Sequence, residues 1–261
     1  MIRNHQLLRA LAAIAVGGPL LGLSVVGVSS AAAEAVDEAP TAAPGPEVDL
    51  GASLSIAPLR VDIDSEATGA TVYLTNPSAR ELAVQTRLFG WSQNAGDDVY
   101  APSGELTVSP SISMIPPGET QIVRVLRKSG SSAGEKRFRL VVDQLPDPKS
   151  AEGGRAETRI RFTLPVFVDR DTAGSPALAW RLADDKLEVA NTGGATARIV
   201  SLAVKTANGN NVTVGRNVLR YVHGNSTIAW PIGKGCSLGA VTITAQVDGQ
   251  TVDAQPNTTC G

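Results

Sequence analysis

Histidine and cysteine are scarce in this chain, two of each among 261 residues. His5 lies in an N-terminal leader, so a mature protein keeps His223 as its one imidazole. Ser-His-Asp or Cys-His chemistry would have to be built on it. Its setting, Val222-His223-Gly224-Asn225-Ser226, reads as a strand end entering a surface turn. Two thiols and one imidazole are too few soft ligands for a metal centre. A hydrolase using His223 is therefore the weakest function class, and no catalytic residue, metal or cofactor is expected. Basic charge is not in excess: 23 Lys+Arg against 25 Asp+Glu give a net −2, which leaves no footprint for nucleic acid. Gly153-Gly154 and Gly193-Gly194 lack the Gly-x-x-x-x-Gly-Lys context of a phosphate-binding loop. The acid pairs Asp62/Asp64, Asp97/Asp98 and Asp184/Asp185 sit on an outward strand face or in polar turns. Nothing around them argues for the raised pKa of a general acid.

What the N-terminus does contain is a secretory leader. Arg3 and Arg9 precede an apolar run over residues 10–28 that is broken by Gly17-Gly18-Pro19 and followed by Ser29-Ser30-Ala31-Ala32-Ala33. A basic start, a short apolar centre and small residues predict a cleaved signal peptide over 1–33, and the break argues against an anchor. Cleavage removes two arginines and no acid, so the mature chain is still more acidic. No second apolar run is long enough to cross a bilayer. Residues 34–51, rich in Ala, Pro and acids, read as a flexible spacer. In an exported protein the pair Cys236 and Cys260 is most simply a disulfide, worth about 3 kcal/mol in the chain-entropy model.

From residue 52 onward the pattern is short alternating segments and turn residues, with no amphipathic helical window longer than two turns. Segments 70–75, 81–91, 112–114, 121–126 and 138–143 are separated by Asn76-Pro77-Ser78, Pro116-Pro117-Gly118 and Leu145-Pro146-Asp147-Pro148. A linker at 169–175 precedes a second set at 178–182, 186–190, 198–206, 217–222, 227–232 and 241–247. This predicts an all-β chain of two tandem immunoglobulin-like sandwiches, 52–169 and 175–261, with a cleft between them.

Residues 157–168 close the first sandwich. Ile160, Phe162 and Leu164 alternate with Arg159, Arg161 and Thr163, the period of a half-buried strand whose polar side carries two arginines. Arg60, in the first strand, and Arg161, in the last, are expected to meet near the cleft, because those strands lie close together in such topologies. Two converging guanidiniums suit a bound carboxylate. The alternative is that each pairs with a neighbouring acid.

In order along the chain, Leu59-Arg60-Val61, Thr71 to Asn76, the run Ile115-Pro116-Pro117-Gly118-Glu119-Thr120-Gln121-Ile122-Val123-Arg124-Val125, Phe138 to Pro146, and Thr158 to Phe162 resemble the periplasmic chaperones of the chaperone–usher pathway. Leu187-Glu188-Val189-Ala190-Asn191-Thr192-Gly193 is similar to the family's second domain, and residues 161–168 are similar to its archaic or spore-coat-like branch. The resemblance implies a periplasmic, non-enzymatic chaperone for fimbrial or pilin-like subunits, serving an outer-membrane usher. It implies that Arg60 and Arg161, where family members have a lysine, anchor the client's C-terminal carboxylate. Thr158, Ile160, Phe162 and Leu164 would pair with the client's edge strand. Family members carry bulky apolar residues just upstream, where this chain has Lys149 to Ala156. Either the donor residues are then Ile160, Phe162 and Leu164 themselves, or donor-strand binding is weak or absent. An exposed, half-apolar edge also implies a self-capping dimer. The rival expectation is an exported tandem immunoglobulin-like structural or adhesive surface protein.

Overall fold

The structure, a computed structural model, describes residues 53–146, 159–215 and 218–259. The leader, the spacer, residues 149–156, Thr158 and Cys260 lie outside the described residues. The described chain is all-β, with two short 3₁₀ turns.

The first sandwich contains β1 (Ser55–Ala57), β2 (Val61–Ile63), β3 (Gly69–Thr75), β4 (Leu82–Asn94), β5 (Asp97–Pro102), β6 (Leu106–Ser109), β7 (Ile112–Ile115), β8 (Thr120–Arg127), β9 (Lys136–Gln144) and β10 (Arg161–Val168). One sheet runs β1-β3-β8-β6, the other β2-β10-β9-β4-β5, with β7 also pairing β4. Inward residues of both sheets form one core, including Val72, Leu74, Val84, Val123, Val125, Leu140, Val142 and Val166. Removing one such side chain, as in Leu140→Ala, costs about 2–5 kcal/mol. The strand alternation is therefore an energetic record of which face is buried. The all-exposed β5 carries no such record and escapes a sequence reading; the Ala95-Gly96 turn, with φ of 50° and 89°, folds it onto β4.

The first strand of the fold is split. Its β1 half pairs β3 in one sheet, and its β2 half runs parallel to β10 in the other. The split positions the site, because β2 covers β10 only from Val166 to Val168. On its other side β10 pairs β9 over its whole length. From Arg161 to Pro165 no strand among the described residues pairs with the other edge of β10.

The second sandwich contains β11 (Leu178–Ala183), β12 (Lys186–Asn191), β13 (Ala197–Thr206), β14 (Asn211–Val212), β15 (Arg220–Val222), β16 (Ser226–Pro231), β17 (Val241–Val247), β18 (Gln250–Ala254) and β19 (Asn257–Thr258). Its sheets run β16-β12-β11-β19 and β14-β13-β17-β18, with β15 also pairing β13. The two sandwiches stop a strand by the same device, a buried asparagine. Asn76 Nδ2 donates to the carbonyls of Arg80 (2.6 Å) and Ile115 (2.8 Å), while Oδ1 accepts from Ser78 N (3.0 Å). Asn191 Nδ2 donates to the carbonyls of Ala195 (2.7 Å) and Val222 (3.0 Å), and Oδ1 accepts from Ala177 N and Gly193 N. Close backbone approach explains Gly193: a Cβ there would lie 2.0 Å from Ser175 O.

Candidate functional site

The two sandwiches are tied together by groups that only tertiary structure assembles. Glu135, its side chain fully buried, pairs with Arg137 (2.8 Å) and with Arg170, and accepts hydrogen bonds from Thr196 N (2.9 Å) and Thr196 Oγ1. Arg137 also donates to Gly194 O at 2.9 Å. The tip of the β4–β5 hairpin reaches the second sandwich. Gln93 Nε2 donates to Tyr221 O (2.8 Å), Gln93 Oε1 accepts from His223 N (3.0 Å), and Arg220 donates to Gly96 O. Trp91 packs edge-on against Tyr221 and His223, with ring centroids 5.2 and 4.2 Å away.

His223 is not the surface-turn residue its sequence setting suggests. It is 1% exposed, and burial, helped by the Arg137 and Arg139 guanidiniums, pushes its pKa down to about 3. Its ring faces Trp91 and its Nε2 has no hydrogen-bond partner, so the described residues do not form a Ser-His-Asp arrangement around it. It is a neutral packing residue of the interface.

Beside this interface lies a cleft of about 350 Å³ lined by Leu59, Asp98, Arg139, Thr163, Leu219 and Tyr221. Its charged lining is Asp98, Arg220 and Arg139, the last at the centre of β9, in register with Pro165 of β10 and Phe89 of β4. The residue is only 8% exposed, yet it forms no ion pair among the described residues, and its Nε has no hydrogen-bond partner. Its guanidinium stacks 3.6 Å over Trp91 and 5.1 Å from Tyr221. A desolvated, unpaired guanidinium is costly, and an incoming anion would compensate it. Tyr100 is raised by burial and by the Asp98 carboxylate, which it meets at 3.2 Å, and these outweigh the opposing pull of the nearby Arg139 guanidinium, so it stands neutral beside Arg139. The sequence reading passed over Arg139. The available signal was a lone charge inside the otherwise apolar run Phe138 to Val142 of a central strand.

The two arginines expected to share a carboxylate are kept apart by register. Val61 pairs with Val166, five residues along β10 from Arg161, about 16 Å at the rise of a strand. Arg60 lies in the bend between β1 and β2. It is held by Asp62 at 2.6 Å and sits over the Phe167 ring at 4.7 Å. Arg161, its side chain 66% exposed, pairs with Asp143, which also takes Arg87 at 2.5 Å. Burial opposes ionisation of Asp143, but the hydrogen bonds of Arg161 and Arg87 hold its carboxyl below the usual range. In this structure each arginine pairs with a local acid.

The open edge follows from strand alternation. Gln144 N donates to Ile160 O, so even-numbered residues of this stretch bond to β9. Asp169 N donates to Ile63 O, so odd-numbered residues face the other way. Arg161, Thr163 and Pro165 therefore turn their backbone groups to the uncovered edge, and Pro165 has no N–H to offer. Ile160 and Phe162 are half-buried against the first core. Leu164, at 2% exposure, is wholly committed to that core and has no apolar surface left for a client strand, contrary to its expected pairing role.

Residues 53–171 match the family described as pili and flagellar-assembly chaperone, PapD N-terminal domain. No curated protein sequence matches the chain. Among solved structures, the chain is similar to one in the CsuC–CsuE chaperone–tip adhesion subunit pre-assembly complex from archaic chaperone-usher Csu pili of Acinetobacter baumannii. That match has 20% identity and a TM-score of 0.63, covering 79% of this chain and 99% of that one. The Salmonella enterica SafA pilin–SafB chaperone complex matches with 17% identity and TM-score 0.58, covering 78% and 96%. The Pseudomonas aeruginosa CupB2 chaperone matches with 17% identity and TM-score 0.56, covering 78% and 100%. The fold is that of the two-domain immunoglobulin-like chaperones. The first domain thus matches the N-terminal domain of the pili and flagellar-assembly chaperones, and the described chain has the fold of those two-domain proteins.

Proposed function

We propose that the protein is a pilus-assembly chaperone that holds a pilus subunit along the unpaired edge of β10, with the subunit's C-terminal carboxylate at Arg139 in the cleft. The observation that carries the reading is a buried guanidinium without an acid partner among the described residues, opening onto the uncovered stretch of β10. Backbone pairing supplies affinity that is indifferent to side chains, and the anchored carboxylate supplies register. Partly exposed Ile160 and Phe162 supply apolar cover for the subunit's edge. Arg60 and Arg161, split by register, act outside the carboxylate site. Delivery to an outer-membrane usher, export through the 1–33 signal peptide to the periplasm, and a Cys236–Cys260 disulfide complete the proposal. The rival surface-protein role has no observation of its own in its favour.

Co-expression with a pilus subunit tests it. The wild type and Arg60→Ala should co-purify with the subunit, whereas Arg139→Met should not. Full recovery with Arg139→Met would refute the anchor.

A further inference from the structure

Next to the open edge lies a groove of about 450 Å³ lined by Gln85, Arg87, Asp143, Leu145, Arg159 and Arg161. Its outer-face residues stand in a row across three strands, Gln85 in register with Asp143 and Asp143 with Arg161. Both oxygens of Asp143 are occupied, one by Arg87 and one by Arg161. Arg159 is exposed and has no ion pair among the described residues. The groove thus holds three guanidiniums and one carboxylate, which pairs with two of them, in a chain whose net charge is negative. This surplus is local, and it is continuous with the edge that a subunit strand would join.

We infer that Arg159 and Arg161, backed by Arg87, select subunits whose pairing strand carries carboxylates at alternate, outward positions. The inference rests on the reading that a subunit strand pairs with β10. On one face of a paired ladder, directly opposite residues have Cβ atoms about 5 Å apart. The residues opposite Arg159 and Arg161 therefore fall on the cationic outer face, while their neighbours turn inward beside Ile160 and Phe162. A strand with Glu or Asp at the outward positions and apolar residues between them fits both faces. A second copy of this chain would set arginine near arginine, which disfavours self-pairing here.

The test uses the mature chain and synthetic extended peptides with apolar residues at inward positions and either Glu or Gln at two outward positions. Each is made with a free C-terminal carboxylate and as an amide, and binding is read by fluorescence anisotropy. At low salt the Glu peptide should bind the wild type about five- to twentyfold more tightly than the Gln peptide, at about two- to fivefold per exposed pair. Salt should erase the difference. The double variant Arg159→Gln/Arg161→Gln should lose the preference and keep its discrimination of acid from amide, which belongs to Arg139. Equal binding of Glu and Gln peptides by the wild type overturns the inference and leaves strand pairing standing. So does a Glu preference that survives in the double variant. If no peptide binds the wild type, the strand-pairing reading falls and this inference falls with it.

Discussion

Arg139→Met separates what the buried guanidinium does for the fold from what it does for a ligand. Met retains an unbranched apolar stem in the same volume and removes the charge. Two opposing effects act on stability. The variant relieves an unpaired, desolvated group, whose cost is about 1–3 kcal/mol, and it forfeits the stacking over Trp91 and Tyr221, about 1–2 kcal/mol. These nearly cancel, so the unfolding free energy should stay within about 1 kcal/mol of wild type, and Tm within about 2–4 °C for a chain of this size. Binding has no such compensation. Truncating one member of a buried charge pair costs about 2–5 kcal/mol, roughly a 30- to 4,000-fold rise in Kd. Differential scanning calorimetry on the free protein, and anisotropy with a strand peptide bearing a free C-terminal carboxylate, measure the two sides. A variant that unfolds much earlier and also fails to bind would mean that Arg139 is structural. A stable variant that binds carboxylate and amide peptides as the wild type does would mean that the anchor lies elsewhere.

Glu135→Gln should lower the unfolding free energy by about 3–5 kcal/mol, because Arg137 and Arg170 lose the buried carboxylate between them; an unchanged urea midpoint would refute the clamp. His223 is neutral in the folded protein, with a pKa pushed down to about 3 from an ordinary value near 6.5. Between those values the unfolded chain binds the extra proton. The stability owed to the neutral ring is therefore complete above pH 6.5 and falls as the pH drops toward 3, by at most about 1.4 kcal/mol per unit. Urea midpoints for His223→Phe should show a shallower pH slope over that window, and an imidazole NMR signal that titrates near pH 6 would contradict the burial. Asp169, whose side chain is buried against Arg127 at 2.6 Å, is held below the usual carboxylate range: burial opposes ionisation, and Ser132 N–H and Arg127 outweigh it. Its stabilisation is present above its unfolded pKa and is lost as pH falls through its folded value. Asp169→Asn should therefore weaken the protein at neutral pH more than at pH 2, as urea midpoints at the two pH values would show.

Alternation made much of the fold legible. Val72/Leu74, Val84, Leu140/Val142 and Leu187/Val189 each occupy the inward phase of a strand, and burial of apolar area is a local, period-two signal. The strands that escaped the reading, β5 among them, are short or exposed on both faces, where no phase exists to detect. Asn76-Pro77-Ser78 and Asn191-Thr192-Gly193 were readable as strand ends because the chain there turns on its own side chains.

By itself, the sequence determined the all-β class, the tandem sandwiches and the two-faced character of the strand around Arg161, since each depends on residues near one another along the chain. Tertiary structure alone decided which arginines could share a ligand. Register pairs Val61, next to Arg60, with Val166, about 16 Å along β10 from Arg161, and each arginine pairs with a local acid. Arg139, in the middle of an apolar strand, was left as a buried charge lining the cleft without an ion pair among the described residues. Composition and spacing carry no record of cross-strand register or of which charges go unpaired, because those follow from contacts between residues distant along the chain.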